Sequence, residues 1–407
     1  MNLEYRKLTI DDFDAVVALD EMVEGELPNP ARAAYWRDNA FEFDRSMAAF
    51  DDAQLVGQSM TYSLGMSVPG GSVLRCGGVS WIGVLPTHRR RGIMTAMMRW
   101  QMDDIHERDE PLAALYTSQA PIYGRFGYGM SHFREKWEID ADNSAFESEV
   151  ESGGQIKFVE YEDAKALFRP IHERAMHLFP GMVTRSDAFW TARLYDDETG
   201  LDKPPKMFYV AYDGDEGIEG FAAYSIDNNW VEALPRQVLT VKELIALSDR
   251  AYAGLWRFCL DVDLVSTVKA TRPPDEPLVW LLADKRAMKR EVGDSMYLRL
   301  VDVAGALSAR KYDTEDSMVI EVVDEFCPWN NGRFMLDAGP EGAACSPTSE
   351  RPDVTMAARE LGSLYLGGVS ARSMQRAERI EDHTGDGVAR LDRMFRSTVA
   401  PWAHMYW

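Results

Sequence analysis

The sequence predicts an α/β (α+β) chain of three consecutive units, and three observations carry this. Strand and helix patterns alternate from the N-terminus. The same order of elements returns in the middle of the chain. A third run of strands then closes on an amphipathic helix. The 407 residues exceed what a single domain usually holds. The units are placed at 1–145, 146–292 and 293–407.

In the first unit, YRKLTIDDFDAVVALDEMV reads as a short strand followed by a helix. Thr9 is its N-cap, and Asp11 and Asp12 favour the positive end of the helix dipole. SMAAFDDAQLVGQSMTYSLGMSVPGG reads as a hairpin turning at Asp51 and Asp52, and SVLRCGGVSWIGVLP as a further strand. RRGIMTAMMRWQMDDIHER is a helix and LAALYTS a strand. On that helix Met94, Met97, Met98 and Ile105 share one face, widened by Ile93 and Trp100, and they are read as core.

The polar stretch ADNSAFESEVESGG marks the first boundary. In the second unit VEYEDAKALFRPIHERAMH repeats the strand, acidic turn and helix of the opening. MFYVAYDGDEGIEGFAAYSI is a hairpin on a DG turn, and LTVKELIALSDRAYAGLWRFCLDV is a strand and helix. The third unit begins near MYLRLVDVAGALSAR, with strands at SMVIEVVD and GRFMLDA and a helical patch at MAARELGSLYLGG. Its last segment, VARLDRMFRSTVAPWAHMYW, reads as a final helix, too apolar at its end to be a loose tail.

Charge narrows the function. There are 66 acidic and 44 basic residues, a net charge of -22. That argues against nucleic acid or anionic membrane as partner, and suits a cationic substrate or simple solubility. Cys76, Cys259, Cys327 and Cys345 are scattered without a C-x-x-C pair, which reads as free thiols in a reducing compartment and no metal cluster. The opening MNLEYRKLTIDDFD lacks the apolar core of a secretory signal, and no apolar run reaches the ~18 residues of a membrane span. A cytoplasmic protein is expected.

Against this acidic background stands VLPTHRRRGIM. A strand reaches Pro86, three arginines and Gly92 follow, and a helix begins. The first N–H groups of a helix have no internal partner and carry the positive end of its dipole, so they attract phosphate. Gly92 lets an anion approach the backbone, and the arginines add forked donors. On charge alone the segment reads as a solvated basic turn; the order strand, proline, arginines, glycine, amphipathic helix favours a diphosphate grip. His88 is read as a turn residue. The P-loop pattern and G-x-G-x-x-G are both absent.

The knot resembles the pyrophosphate loop of GNAT acetyltransferases. WIGVLPTHRRRG, then APIYGRFGYG ~30 residues later, then RLVDVAGALSAR and an aromatic final residue, together resemble the enhanced intracellular survival (Eis) family. The resemblance implies two tandem GNAT-like domains, the second degenerate, and a C-terminal domain like a sterol carrier protein. It implies acetyl-CoA as co-substrate, lying along Ile82, Gly83 and Val84, with Gly83 at a strand bulge. The diphosphate would rest on Arg90, Arg91, Gly92, Ile93, Met94 and Thr95, and Ser118 and Gln119 would lie beside the acetyl group.

Tyr123 matches the family's general acid; by its own composition the cluster Tyr123, Phe126, Tyr128 reads as packing aromatics. The family's base is the C-terminal carboxylate, here that of Trp407. The family's substrates are primary amines of aminoglycosides and lysines; a polyamine is a further candidate. The acidic run Asp20, Glu21, Glu24 and Glu26 could draw such a cation, with Glu26 preferred, and each reads equally well as part of a solvated helix face. The resemblance also implies a homohexamer of paired trimers. Two other readings stand beside the enzyme: a lipid or small-molecule binder whose MAARELGSLYLGG patch lines an apolar pocket, and a non-catalytic acetyl-CoA sensor.

Overall fold

The computed structural model describes residues 3–25, 29–150, 153–194, 206–403 and 405–407. They form two compact units. The first joins Met1–His132, Pro180–Thr184 and Ser295–Trp407; the second comprises Phe133–Phe179 and Arg185–Asp294.

In chain order the first unit opens with β1 (Leu3–Arg6), α1 (Phe13–Glu24), α2 (Pro30–Asn39), β2 (Ser46–Asp51), β3 (Gln54–Ser67) and β4 (Val73–Val84). It continues with α3 (Ile93–Glu107), β5 (Leu112–Leu115), α4 (Ala120–Tyr123) and β6 (Gly129–Met130). The second unit holds β7 (Phe133–Asp140), β8 (Gln155–Val159), α5 (Tyr161–Met176), α6 (Asp187–Leu194), β9 (Met207–Gly214) and β10 (Gly217–Asp227). After a small hairpin, β11 (Trp230–Val231) and β12 (Leu234–Pro235), come β13 (Gln237–Ala246), α7 (Asp249–Leu260), β14 (Val265–Arg272), α8 (Leu278–Leu281) and β15 (Met288–Asp294). The chain then re-enters the first unit through β16 (Tyr297–Leu300), α9 (Val303–Ala309), β17 (Asp316–Val323), β18 (Gly332–Gly339) and β19 (Gly342–Pro347). It ends with β20 (Val354–Ala357), α10 (Ala358–Leu364), α11 (Ala371–Arg376), β21 (Ile380–Asp382) and α12 (Gly387–Phe395).

Among the described residues the first unit carries a seven-stranded sheet of order β1-β2-β3-β4-β5-β16-β6 and a five-stranded sheet of order β19-β18-β17-β20-β21. Strand β16 inserts between β5 and β6, so the C-terminal third completes the N-terminal sheet. The entry to α1 follows the sequence. Thr9 closes a capping box with Asp12 over one 3₁₀ turn, and Phe13, Val16 and Leu19 are buried beneath the helix. On α3, Ile93, Met97, Met98, Met102 and Ile105 are buried. Gly57 lets that helix sit close to the sheet, since a Cβ there would come within 2.7 Å of Ile93 Cγ2. Met94 departs from the expected core role, being only half-buried.

The second unit repeats the plan with its own seven-stranded sheet, order β15-β7-β14-β13-β10-β9-β8, and a core around Trp137, Leu255 and Trp256. Strands β13 and β14 pair in parallel, joined by α7. The N-terminus of α7 is closed by its own side chains. Ser248 Oγ accepts from Ala251 N at 3.2 Å and donates to Glu219 at 2.6 Å, and Asp249 stands in the first turn. A helix start so capped and so acidic repels phosphate.

One expectation for the third segment is corrected. The final helix stops at Phe395, and Arg396–Trp407 runs without helix in the described residues. Gly367 receives Ser397 N at 3.4 Å, Pro401 interrupts any helix, and Trp402, Ala403 and Met405 are buried in the first unit. The MAARELGSLYLGG patch is packed into the fold. Leu361, Leu364, Tyr365 and Leu366 are fully buried, and Gly362 lets α10 approach β16, where a Cβ would collide with Leu298 O. Cys76, Cys259 and Cys327 are free and buried, and Cys345 is half-buried. No helix of the described residues is long and apolar enough to cross a membrane.

Candidate active site

The site begins as a defect in β4. Gln58 pairs with Gly83 and Met60 with Ser80, so Trp81 and Ile82 together face the single residue Ser59. This is a β-bulge, and Trp81 takes φ 53° at it. A left-handed tryptophan is strained and needs surrounding support. Its indole N–H donates to Tyr62 Oη at 2.9 Å, and its rings pack against Phe41 and Phe13. The bulge was expected at Gly83. Gly83 instead makes room for a helix. A Cβ there would come within 2.7 Å of Leu19 Cδ2, so its absence lets α1 pack on the strand.

On its other side β4 pairs in parallel with β5 only from Cys76↔Leu112 to Val79↔Leu115. Past that point the two strands part, and the β5-facing amides of Ser80–Val84 have no ladder partner among the described residues. A cleft of about 810 Å³ opens there.

The arginine knot forms one end of this cleft. Pro86–His88 is a 3₁₀ turn, in which His88 Nε2 lies 3.2 Å from Asp51 and serves the turn. Arg90 has φ 63° and Gly92 φ 82°, so the main chain bends into α3 through two left-handed residues. Gly92 is the N-cap; no side chain among the described residues caps it, and the first turn holds no acid. A Cβ on Gly92 would meet nothing within 4 Å. Gly92 thus borders open space at the start of α3, where the first helix amides have no internal partner and carry the positive end of the dipole. Arg91 Nη2 donates to Thr87 O at 2.9 Å, which ties the arginine back onto the turn.

Tyr123 comes from α4, started by Pro121 and followed by a 3₁₀ turn over Gly124–Phe126. The buried rings of Phe126 and Tyr128 anchor this turn. Arg299, itself fully buried, donates to Phe126 O and pairs with Asp324, so β16 holds the loop from beneath. Burial, with Glu24 as a smaller influence, pushes the Tyr123 phenol up to about 12. The hydroxyl therefore keeps its proton across the working pH range.

The structure brings ten of the expected residues to this one cleft: Ile82, Val84, Arg90, Gly92, Ile93, Met94, Thr95, Ser118, Gln119 and Tyr123. Gly83 and Arg91 flank it in the roles just described. Glu26 lies outside the described residues. Glu24, one turn of α1 from Asp20, is on the cleft wall, as are Val23, His88, Arg89, Ile122 and Arg125. Asp20 is half-buried, and burial together with Glu24 pushes its carboxyl up to about 6. Trp407 reaches the same strand: Ser80 Oγ donates to the Trp407 main-chain oxygen at 3.0 Å.

Sequence reading missed the bulge at Trp81, the Arg299 support and the tail contacts of Ser80. A left-handed tryptophan has no local signature. Arg299 lies 173 positions from the carbonyl it holds. Among the described residues no group of three or more His, Cys, Asp or Glu is placed to hold a metal ion.

Comparison with known proteins agrees with this architecture. Acetyltransferase (GNAT) domain models match residues 4–131 and 181–300, and a sterol carrier protein domain model matches 303–404. An uncharacterized N-acetyltransferase of Streptomyces coelicolor is 36% identical, over 99% of both chains. The N-acetyltransferase Eis of Mycobacterium tuberculosis is 30% identical, over 96% of each. The crystal structure of Eis1 from Mycobacterium abscessus superposes with a TM-score of 0.87 at 31% identity, covering 99% of this chain and 100% of that one. With two GNAT domains, a sterol-carrier-like domain and this level of identity along its whole length, the chain belongs to the Eis family of GNAT N-acetyltransferases.

Proposed function

We propose that the chain transfers the acetyl group of acetyl-CoA to a primary amine of a cationic acceptor, of aminoglycoside, polyamine or lysine type, by direct attack. The carrying observation is that one cleft holds a bulged strand edge, an uncapped helix start and a proton-bearing phenol. The residues fit the coenzyme. Free amides on β4 suit an extended amide-bearing arm, and the α3 start with Arg90 suits a diphosphate. Gly92 leaves the space that a bound phosphate needs. Acetyl-CoA supplies the thioester carbon that the amine attacks.

Tyr123 donates a proton to the departing sulfur as the carbon–sulfur bond breaks. A β4 amide near Val84 polarises the carbonyl. The Trp407 carboxylate takes the amine's proton. A carboxyl of this kind has a pKa of about 3.5, so it works chiefly by placement and by stabilising the ammonium it faces. Glu24, which lines the cleft, draws the cationic acceptor.

On this reading the chain works as three domains, 1–145, 146–292 and 293–407: a catalytic N-terminal domain, a central domain whose α7 start is closed to phosphate, and a C-terminal domain that returns its end to the site. The likeness to Eis proteins supports a homohexamer, which solution mass checks. The direct test is release of coenzyme thiol from acetyl-CoA with a panel of amines. Release is expected with primary diamines and not with tertiary amines. No release above the hydrolysis background with any amine overturns the reading.

A further inference from the structure

The end of the chain meets the first sheet where β4 and β5 part. Three features of the sheet receive it. Tyr116, the residue after β5, donates its hydroxyl to Met405 O at 2.9 Å. Its ring packs with Tyr406 at 4.2 Å and Trp407 at 4.8 Å between centroids. On the facing strand Ser80 donates to the Trp407 main-chain oxygen at 3.0 Å. Gly78, two residues earlier, makes room first for Leu64, whose Cδ1 a Cβ would collide with, and also for the indole, whose Nε1 would lie 3.1 Å away.

These contacts stand in for secondary structure. From Arg396 onward the described chain has no helix or strand; isolated main-chain bonds such as Trp402 N to Pro180 O, side-chain contacts and burial hold it. A segment without a ladder of bonds shifts more readily when such contacts go, because each one offsets a larger share of its conformational entropy. The strands that receive it are those whose next residues line the cleft. Ile82 follows Ser80 by two positions, and Ser118 follows Tyr116 by two.

We propose that Tyr116 is a positioning residue: it holds the segment Met405–Trp407 across the gap between β4 and β5, and that segment is the wall on which the acceptor amine is seated. The second half rests on the transferase reading above; the first does not. Met405 is itself buried, and the rival account is that its burial alone anchors the tail.

Two readouts separate these. Carboxypeptidase release of Trp407 from the folded 407-residue chain reports the latch whether or not the protein is active. Tyr116→Ala is expected to speed release by about tenfold or more, and Tyr116→Phe, which keeps the ring and loses one hydrogen bond, by about threefold. Steady-state kinetics with the best amine of the panel report the wall. Tyr116→Ala is expected to lower kcat about tenfold, with the KM for acetyl-CoA within about twofold, because only acceptor placement is lost. Tyr116→Phe should restore most of that loss. Deleting Met405–Trp407, which also removes the Trp407 carboxylate, should lower kcat by at least as much, and adding Tyr116→Ala to the deletion should change nothing further. Release unchanged in Tyr116→Ala overturns the latch. Losses that multiply in the double variant overturn the wall. If the wild type acetylates no amine, the transferase reading and the wall fail together, while release still decides the latch.

Discussion

Substituting Gly92 separates backbone geometry from electrostatics at the heart of the proposed grip. Gly92 sits at φ 82°, and a Cβ added there would have no neighbour within 4 Å. Gly92→Ala therefore brings no clash, only the left-handed penalty of about 1–2 kcal/mol. That strain is present with and without ligand, so it largely cancels in binding; coenzyme affinity should fall by less than about fivefold. Gly92→Asp tolerates the same φ better and offers an oxygen to the uncapped amides of α3, so its folding cost should be smaller than that of alanine.

Yet it places a carboxylate where the diphosphate is expected. At about 5 Å and an effective dielectric of about 20, one pair of unit charges repels by about 3 kcal/mol. The carboxylate also occupies the amides the phosphate would use, so affinity should drop by more than about a hundredfold. Thermal unfolding and calorimetric titration with coenzyme A at low ionic strength read the two effects apart. An Asp variant that binds within about threefold of wild type refutes a diphosphate on the α3 start. So does an Ala variant that loses as much as Asp.

Two further outcomes follow from the titrating groups. Tyr123→Phe should lower kcat by about a hundredfold or more while leaving coenzyme affinity within about twofold. Because the phenol is held up to about 12, the wild-type rate with a weakly basic amine should show no alkaline fall below about pH 11. A fall centred near the ordinary phenol value of about 10 contradicts the burial argument. Asp20, raised to about 6, binds its proton more tightly in the folded chain than in the unfolded one. Its ionisation therefore costs stability, with the cost absent below about pH 4, growing to about pH 6 and complete above. Asp20→Asn should raise the unfolding temperature at pH 8 and not at pH 4. After allowance for solvent screening of a half-buried group, the gain is on the order of 1 kcal/mol. An equal gain at both pH values contradicts it.

Much of the local structure was legible because its signals are local. Thr9 with Asp12, the turn at Asp51 and Asp52, and the apolar face of α3 each follow from neighbours within a few residues. The arginine knot was legible for the same reason, since a glycine N-cap without an acid is written in consecutive letters. Tyr123 was not readable from pattern alone: a tyrosine among aromatics packs more often than it reacts, and only the resemblance to a family marked it. The final helix was misjudged because its apolar residues keep a helical spacing while their burial partners lie elsewhere. Trp402 N bonds to Pro180 O, and Met405 O to Tyr116.

By itself, then, the sequence determined the elements, the anion-seeking helix start and the acidic character of the molecule, since short-range geometry and composition decide these. Only the tertiary structure decided that Trp81 would bulge, that β4 and β5 would part after Val79 and Leu115, and that Tyr116 would meet a residue 289 positions away. Such features depend on contacts whose partners are remote in the chain, and no stretch of neighbouring residues encodes the distance between them.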